Sequence, residues 1–182
     1  MSGLDFSPAA LHQARHLARA AGADITFVQA ELYRALEVLP TGQFDLVYTG
    51  IGALCWLPDI RRWAGVVAAL LRPGGRLFLR EAHPVLWSLD EQRDDLVIGH
   101  PYFEQRAPLV CDEPGTYVDT DVAFTHTASH SWNHGLGEII TTLLDQHLLL
   151  VQLDEHDSVP WNALPGQMSR LDNGRVARDR PP

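Results

Sequence analysis

The side chains in this sequence that could do chemistry are two isolated carboxylates, a set of histidines and several tryptophans. Asp5 lies at the end of a short strand-like start, just before a helix signal. A carboxylate there can accept hydrogen bonds from ribose hydroxyls, or it can simply support the start of the helix. Glu31 follows the apolar run at 25–29 and could contact adenine or ribose; otherwise it is a solvated loop carboxylate. His83, His134 and His156 stand in the loop-like contexts EAHP, WNHG and DEHD, where each could act as a general base or substrate donor, or sit exposed in a loop. His126 and His130 have the spacing of a helical metal pair, but the Thr and Ser residues between them favour a strand. On a strand the two would stand ~13 Å apart, too far to share one ion, so no metal site is expected. Trp56, Trp87, Trp132 and Trp161 fall in loops or at element ends and could wall an apolar pocket or fill a satellite core. Cys55 and Cys111 have no metal spacing, and Cys55 reads as a packing residue.

These residues need elements to position them. FDLVYTG at 44–50 is a strand-like run, DIRRWAGVVAALL at 59–71 has helical spacing, PGG at 73–75 turns the chain, and RLFLRE at 76–81 is a second strand-like run. A strand, helix and strand joined this way form a right-handed crossover, the unit of a parallel sheet. Ligands bind beyond the carboxyl ends of such strands, here 49–57 and 81–89. The helix should bury Ile60, Trp63, Val67 and Leu70. Ser7-Pro8 starts an earlier helix with Leu11, Ala14, Ala18 and Ala21 on one face, and 24–29 reads as a strand. Residues 82–132 read as a long insertion ending in an alternating strand at 124–132. A helical pattern follows at 136–148, then a strand at 149–153, and the arginine- and proline-rich end at 167–182 reads as disordered.

Composition narrows the function classes. The 182 residues are 46% hydrophobic and 20% charged, enough for one domain with a core, 1–166. No apolar run reaches the ~20 residues that span a bilayer, and no secretory signal is visible, so a cytoplasmic location is expected. A net charge of -9 argues against nucleic-acid partners and for a small-molecule substrate. All 14 basic residues are arginine, which excludes a Walker lysine and a Schiff-base lysine.

A glycine-rich phosphate loop is absent. Gly50-Ile51-Gly52 follows the wrong strand, and Pro73-Gly74-Gly75 is a turn before a strand. Nonetheless GLDFSPAALHQAR, ITFVQAELY, FDLVYTGIGALCWLPD and LLRPGGRLFLREAHP, in that order, resemble the class I S-adenosylmethionine-dependent methyltransferases over 3–153. The segments HPVLWSLDE and EHDSVPWNALPG resemble a bacterial subgroup acting on small molecules. The resemblance implies an α/β, Rossmann-like methyltransferase fold: an incomplete parallel sheet with helices on both faces and an inserted β-rich segment at about 82–132. It implies S-adenosylmethionine as cofactor, with Asp5 on the ribose, Phe6, Glu31 and Leu32 at the adenine, and Thr49 and Gly50 near the sulfur. His83 and His134 would be catalytic, and Trp56, Trp87 and Trp132 would meet a small-molecule methyl acceptor. The family's first strand carries the glycine loop, and this chain starts at the tip of the second strand. The expectation is therefore a truncated domain with impaired methyl transfer and either open sheet edges or a new strand pairing; the alternative is a non-catalytic remnant without cofactor binding. A nicotinamide-dependent oxidoreductase shares the ribose carboxylate but fits FDLVYT, PGG and EAHP less well.

Overall fold

Serine and proline at positions 7 and 8 start the first helix as their chemistry dictates. In the computed structural model, which describes all residues except 51, 113–120, 122, 165, 173 and 179–182, Ser7 accepts the Ala10 amide at 3.2 Å and opens α1 (Pro8–Ala20). Leu11 and Ala18 are its buried positions, and Gly22 ends it with φ of 63°. The helix connects β1 (Ser2–Asp5) to β2 (Thr26–Gln29), which pair in parallel from Ser2 opposite Thr26 to Asp5 opposite Gln29. A 3-10 turn (Leu32–Arg34) and the short α2 (Ala35–Val38) follow.

The second parallel unit is β3 (Phe44–Thr49), a 3-10 turn (Leu54–Trp56), α3 (Ile60–Leu70) and β4 (Leu71–Leu79). Asp59 caps α3 by accepting the Arg62 amide at 3.0 Å. The expected core face of α3 is buried: Ile60, Trp63, Val67 and Leu70, joined by Ala64 and Val66. PGG falls within β4 where the β3–β4 register shifts. Gly75 is required there, because a Cβ would lie 2.8 Å from the Phe44 carbonyl oxygen.

The two parallel pairs are separate sheets, with no hydrogen bonds between β1 and β3 among the described residues. What joins them is the helix layer. Leu4 of β1 and Phe44 and Val47 of β3 pack on one buried cluster of Ala35, Val66 and Leu70. The β1–β2 and β3–β4 pairs thus share a helix layer without a shared ladder among the described residues. The other face of the β3–β4 pair is bare, and Tyr48 and Phe78 stack there with ring centroids 5.8 Å apart.

The inserted segment contains a 3-10 turn (Leu86–Ser88) and an antiparallel hairpin of β5 (Leu109–Asp112) and β6 (Ala128–Ser131). The alternating strand expected at 124–132 is thus formed only in its last part, with His130 on it and His126 before it. α4 (Leu136–Leu144) packs on α3 and is shorter than its helical pattern. The Leu148 amide bonds the Leu143 carbonyl and the His147 amide bonds that of Leu144, with His147 at φ of 61°. This left-handed cap stops the helix four residues early without a glycine. The segment 149–153, expected as a strand, forms no ladder among the described residues. In the region read as disordered, β7 (Met168–Arg170) and β8 (Val176–Arg178) pair antiparallel, and Val176 bridges Val159.

Candidate functional site

The β1–α1–β2 crossover brings Asp5 and the residues after Gln29 to one sheet edge. The Ala30 amide bonds the Asp5 carbonyl at 3.1 Å, and the Gln29 side chain bonds the Phe6 carbonyl at 3.2 Å. One Asp5 oxygen accepts the Ser7 amide at 2.7 Å, so its helix-starting role is real and uses half of the carboxylate. Phe6 is 72% exposed beside it. Glu31 accepts the Tyr33 amide through Oε2 at 3.1 Å and caps the following turn. Leu32 instead turns its side chain onto the main core cluster. A cleft of about 270 Å³ lies against β1 and α1, lined by Gly3, Leu4, Asp5, Leu11 and Phe27 among others. Its size approaches that of small-molecule sites.

Thr49 ends β3 and accepts the Arg80 amide at 3.2 Å, so the carboxyl ends of β3 and β4 are level. Beyond them the loop after β3 is fastened by Glu81, a residue the sequence did not single out. Its carboxylate accepts the amides of Gly52, Ala53 and Leu54 at 2.8, 2.9 and 3.2 Å. Burial nonetheless holds the Glu81 carboxyl above its ordinary value, against the opposing effect of these amides. Next to it, burial first and the Glu81 charge second push the Cys55 thiol up to about 12. Cys55 is thus no nucleophile, in keeping with a packing role.

Leu54, Cys55, Glu81, Ala82, Pro84, Trp87, Trp132, Asn133, His134 and Ile139 enclose a small cavity of about 20 Å³. That is room for a single water. Trp87 and Trp132 do wall it, whereas Trp56 is 56% exposed and lies outside it. The Trp132 backbone amide bonds the Cys55 carbonyl at 2.8 Å, while its indole Nε1 is buried without a hydrogen-bond partner among the described residues.

The two candidate histidines differ. His134 is 3% exposed, and its Nε2–H points at the carbonyls of Leu57 and Leu54, at 2.9 and 3.2 Å. Its Nδ1 lies 2.9 Å from Glu104, an ion-pair distance without hydrogen-bond alignment. His134 therefore ties the loop after β3 to the inserted segment. His83 is partly exposed: its Nδ1 accepts the Val85 amide at 3.1 Å, so its proton sits on Nε2, 2.7 Å from Glu155. Sequence reasoning missed Glu104 and Asn133 as well as Glu81. Asn133 donates to the Pro84 carbonyl, the Ser88 hydroxyl and the Pro101 carbonyl at 2.9, 3.0 and 3.1 Å. A carboxylate closing β4 was the one visible signal for Glu81; contacts spanning 32 to 49 residues leave none for Asn133. No group of residues suited to hold a metal occurs among the described residues.

The fold is similar to that of known proteins. Residues 1–77 match a family model described as a methyltransferase domain. No curated protein matches the chain. Among solved structures, an S-adenosylmethionine-dependent methyltransferase from Mesorhizobium loti is 20% identical, with a TM-score of 0.54 over 86% of this chain and 67% of that one. The YcgJ protein from Bacillus subtilis is 14% identical, with a TM-score of 0.59 over 98% of this chain and 82% of that one. A methyltransferase from Listeria monocytogenes, described as putative and S-adenosylmethionine-dependent, is 15% identical, with a TM-score of 0.54 over 80% of this chain and 64% of that one. The family model covers less than half of the chain, and these solved structures, at 20% identity or less, show the fold alone. The chain has the Rossmann-like fold of the class I S-adenosylmethionine-dependent methyltransferases, and its first 77 residues match their methyltransferase-domain model.

Proposed function

We propose that the chain transfers a methyl group from S-adenosylmethionine to a small-molecule acceptor. The observation that carries this reading is the meeting of Asp5, Phe6 and Glu31 at the level carboxyl ends of parallel β1 and β2. The donor set suits the nucleoside half of the cofactor. Asp5 Oδ2 has no partner among the described residues and would accept a ribose hydroxyl, and Phe6 offers an exposed apolar plane for adenine. Glu31 Oε1 would reach an adenine or ribose donor, with Leu32 contributing backbone only. Thr49 and Gly50 would border the sulfur end. When bound, the cofactor supplies an electrophilic methyl group on a sulfonium, so positioning provides most of the acceleration.

Of the two histidines, His83 is the better base. Glu155 would hold the Nε2 proton and stabilise the imidazolium, leaving Nδ1 to take the acceptor's proton once it releases the Val85 amide. His134 uses Nε2 to hold the loop at 54–57, and its buried Nδ1, beside Glu104 without hydrogen-bond alignment, is closed off from an acceptor. Trp87 and Trp132 would flank the acceptor, which must widen the water-sized cavity to enter. Trp56 would reach it only from the rim. The acidic composition supports a small-molecule acceptor over nucleic acid. No helix of the described residues is long and apolar enough to cross a membrane, and we place the activity in the cytoplasm. The test is S-adenosylhomocysteine formation with a panel of small acceptors. Turnover that falls in His83→Ala supports the reading; cofactor binding without turnover on any acceptor counts against it.

A further inference from the structure

Asn133 stands between Trp132 and His134, which fasten the loop after β3, and its own side chain fastens a different segment. The two Nδ2 hydrogens are shared among the Pro84 carbonyl at 2.9 Å, the Ser88 hydroxyl at 3.0 Å and the Pro101 carbonyl at 3.1 Å. Its Oδ1 accepts the His134 amide at 3.0 Å. A carbonyl only accepts and a backbone amide only donates, so these partners fix which way the Asn133 amide points. Ser88, 1% exposed, donates its hydroxyl proton to the same Pro84 carbonyl at 3.0 Å. Two donors therefore hold that one oxygen and fill both of its lone pairs.

The Pro84 carbonyl and the Val85 N–H are the two ends of one planar peptide group. The Val85 N–H donates to His83 Nδ1 at 3.1 Å. Fixing the oxygen therefore aims the hydrogen, and a bond accepted by the carbonyl also polarises the N–H into a stronger donor. Two backbone bonds brace the same turn, from the Leu86 amide to the His83 carbonyl at 2.8 Å and from the Ser88 amide to the Val85 carbonyl at 3.0 Å. On the far side of the imidazole, Nε2–H meets Glu155 at 2.7 Å. We infer that Asn133 is a positioning residue for His83. With Ser88 it clamps the Pro84–Val85 peptide, and the N–H of that peptide holds the imidazole in place with its proton on Nε2.

The value of this clamp to catalysis rests on the proposed function, in which Nδ1 takes the acceptor's proton after parting from the Val85 amide; the clamp sets where that lone pair points. Trp132 and His134, on either side of Asn133, line the cavity together with Trp87 of the same turn. One three-residue segment thus sets the His83 turn and the loop after β3 against each other. An isosteric substitution separates a clamp from a filler of space. Asn133→Asp keeps the shape and the acceptor for the His134 amide, but it sets a carboxylate oxygen against the Pro84 and Pro101 carbonyls. Ser88 should then turn its hydroxyl to the carboxylate and leave the Pro84 oxygen bare.

Nuclear magnetic resonance of the isotope-labelled full chain, with neither cofactor nor acceptor added, reads the clamp. In the parent a scalar coupling should cross the hydrogen bond from the Val85 amide to His83 Nδ1, and that amide should be protected from hydrogen exchange. In Asn133→Asp the coupling should vanish and the Val85 amide should exchange about tenfold faster or more, with the amides of α3 unchanged. Asn133→Ala, a gentler change, should move Val85 in the same direction by less, because Ser88 keeps its bond to the Pro84 carbonyl. A coupling and an exchange rate unmoved in both variants overturn the inference. So does an equal acceleration throughout α3, which makes Asn133 a general support of the fold. A chain that fails to transfer methyl groups leaves this result standing, and an unmoved Val85 amide leaves methyl transfer to its own test.

Discussion

Replacing Glu81 probes the loop after β3, which the proposed function sets against the acceptor. In Glu81→Ala the amides of Gly52, Ala53 and Leu54 lose their shared acceptor, and the Cys55–Trp132 link to the inserted segment loses its support. Three partly buried amides exchanging a carboxylate for incomplete hydration should cost about 2–3 kcal/mol, after allowing for the relieved desolvation of the carboxylate. Glu81→Gln keeps a carbonyl oxygen between the amides and carries no charge, so it should lie within about 1 kcal/mol of the parent at neutral pH. The pH dependence follows from the raised pKa. The folded state holds the Glu81 proton above the ordinary value of 4.5, where the unfolded chain has lost it. Bound protons then favour the folded state, so this group's contribution to stability declines as pH rises from about 4.5 through the folded value. Urea unfolding followed by tryptophan fluorescence, repeated across pH 4 to 8, measures all three chains (roughly half a pH unit per step suffices). The reasoning is refuted if Glu81→Ala matches the parent, or if Glu81→Gln keeps the parent's pH slope.

The helix at the centre of the core gives two further tests. Trp63 is 1% exposed, and Trp63→Ala should cost about 3–5 kcal/mol by urea unfolding. Asp59→Ala removes the cap on the Arg62 amide and should cost about 1 kcal/mol, with Asp59→Asn recovering most of it.

The parts of the molecule legible in the sequence are those set by local period and punctuation. The apolar spacing of Ile60, Trp63, Val67 and Leu70 marked the buried face of α3, and Ser7-Pro8 marked the start of α1. The crossover from β1 to β2 placed Asp5 near Glu31, because parallel strands in one unit end on one edge. Features made by distant contacts left little trace. Leu149 to Leu153 has strand composition, but a ladder needs a neighbour, and none of the described residues supplies one. His147 ends α4 in a left-handed turn that nothing short of the fold announces. His134 looked like a loop base; the Leu54 and Leu57 carbonyls and Glu104, from two other segments, make it a buried tie.

The central claim is that Asp5 and its neighbours hold the nucleoside half of S-adenosylmethionine at the ends of β1 and β2. Isothermal titration of the cofactor into the chain and into Asp5→Ala tests it most directly. The account predicts one saturable site in the parent and binding weaker by about tenfold or more in Asp5→Ala, with the fold of the variant intact by circular dichroism. Equal affinity in both chains would remove Asp5 from the site, and no binding in either would contradict the claim.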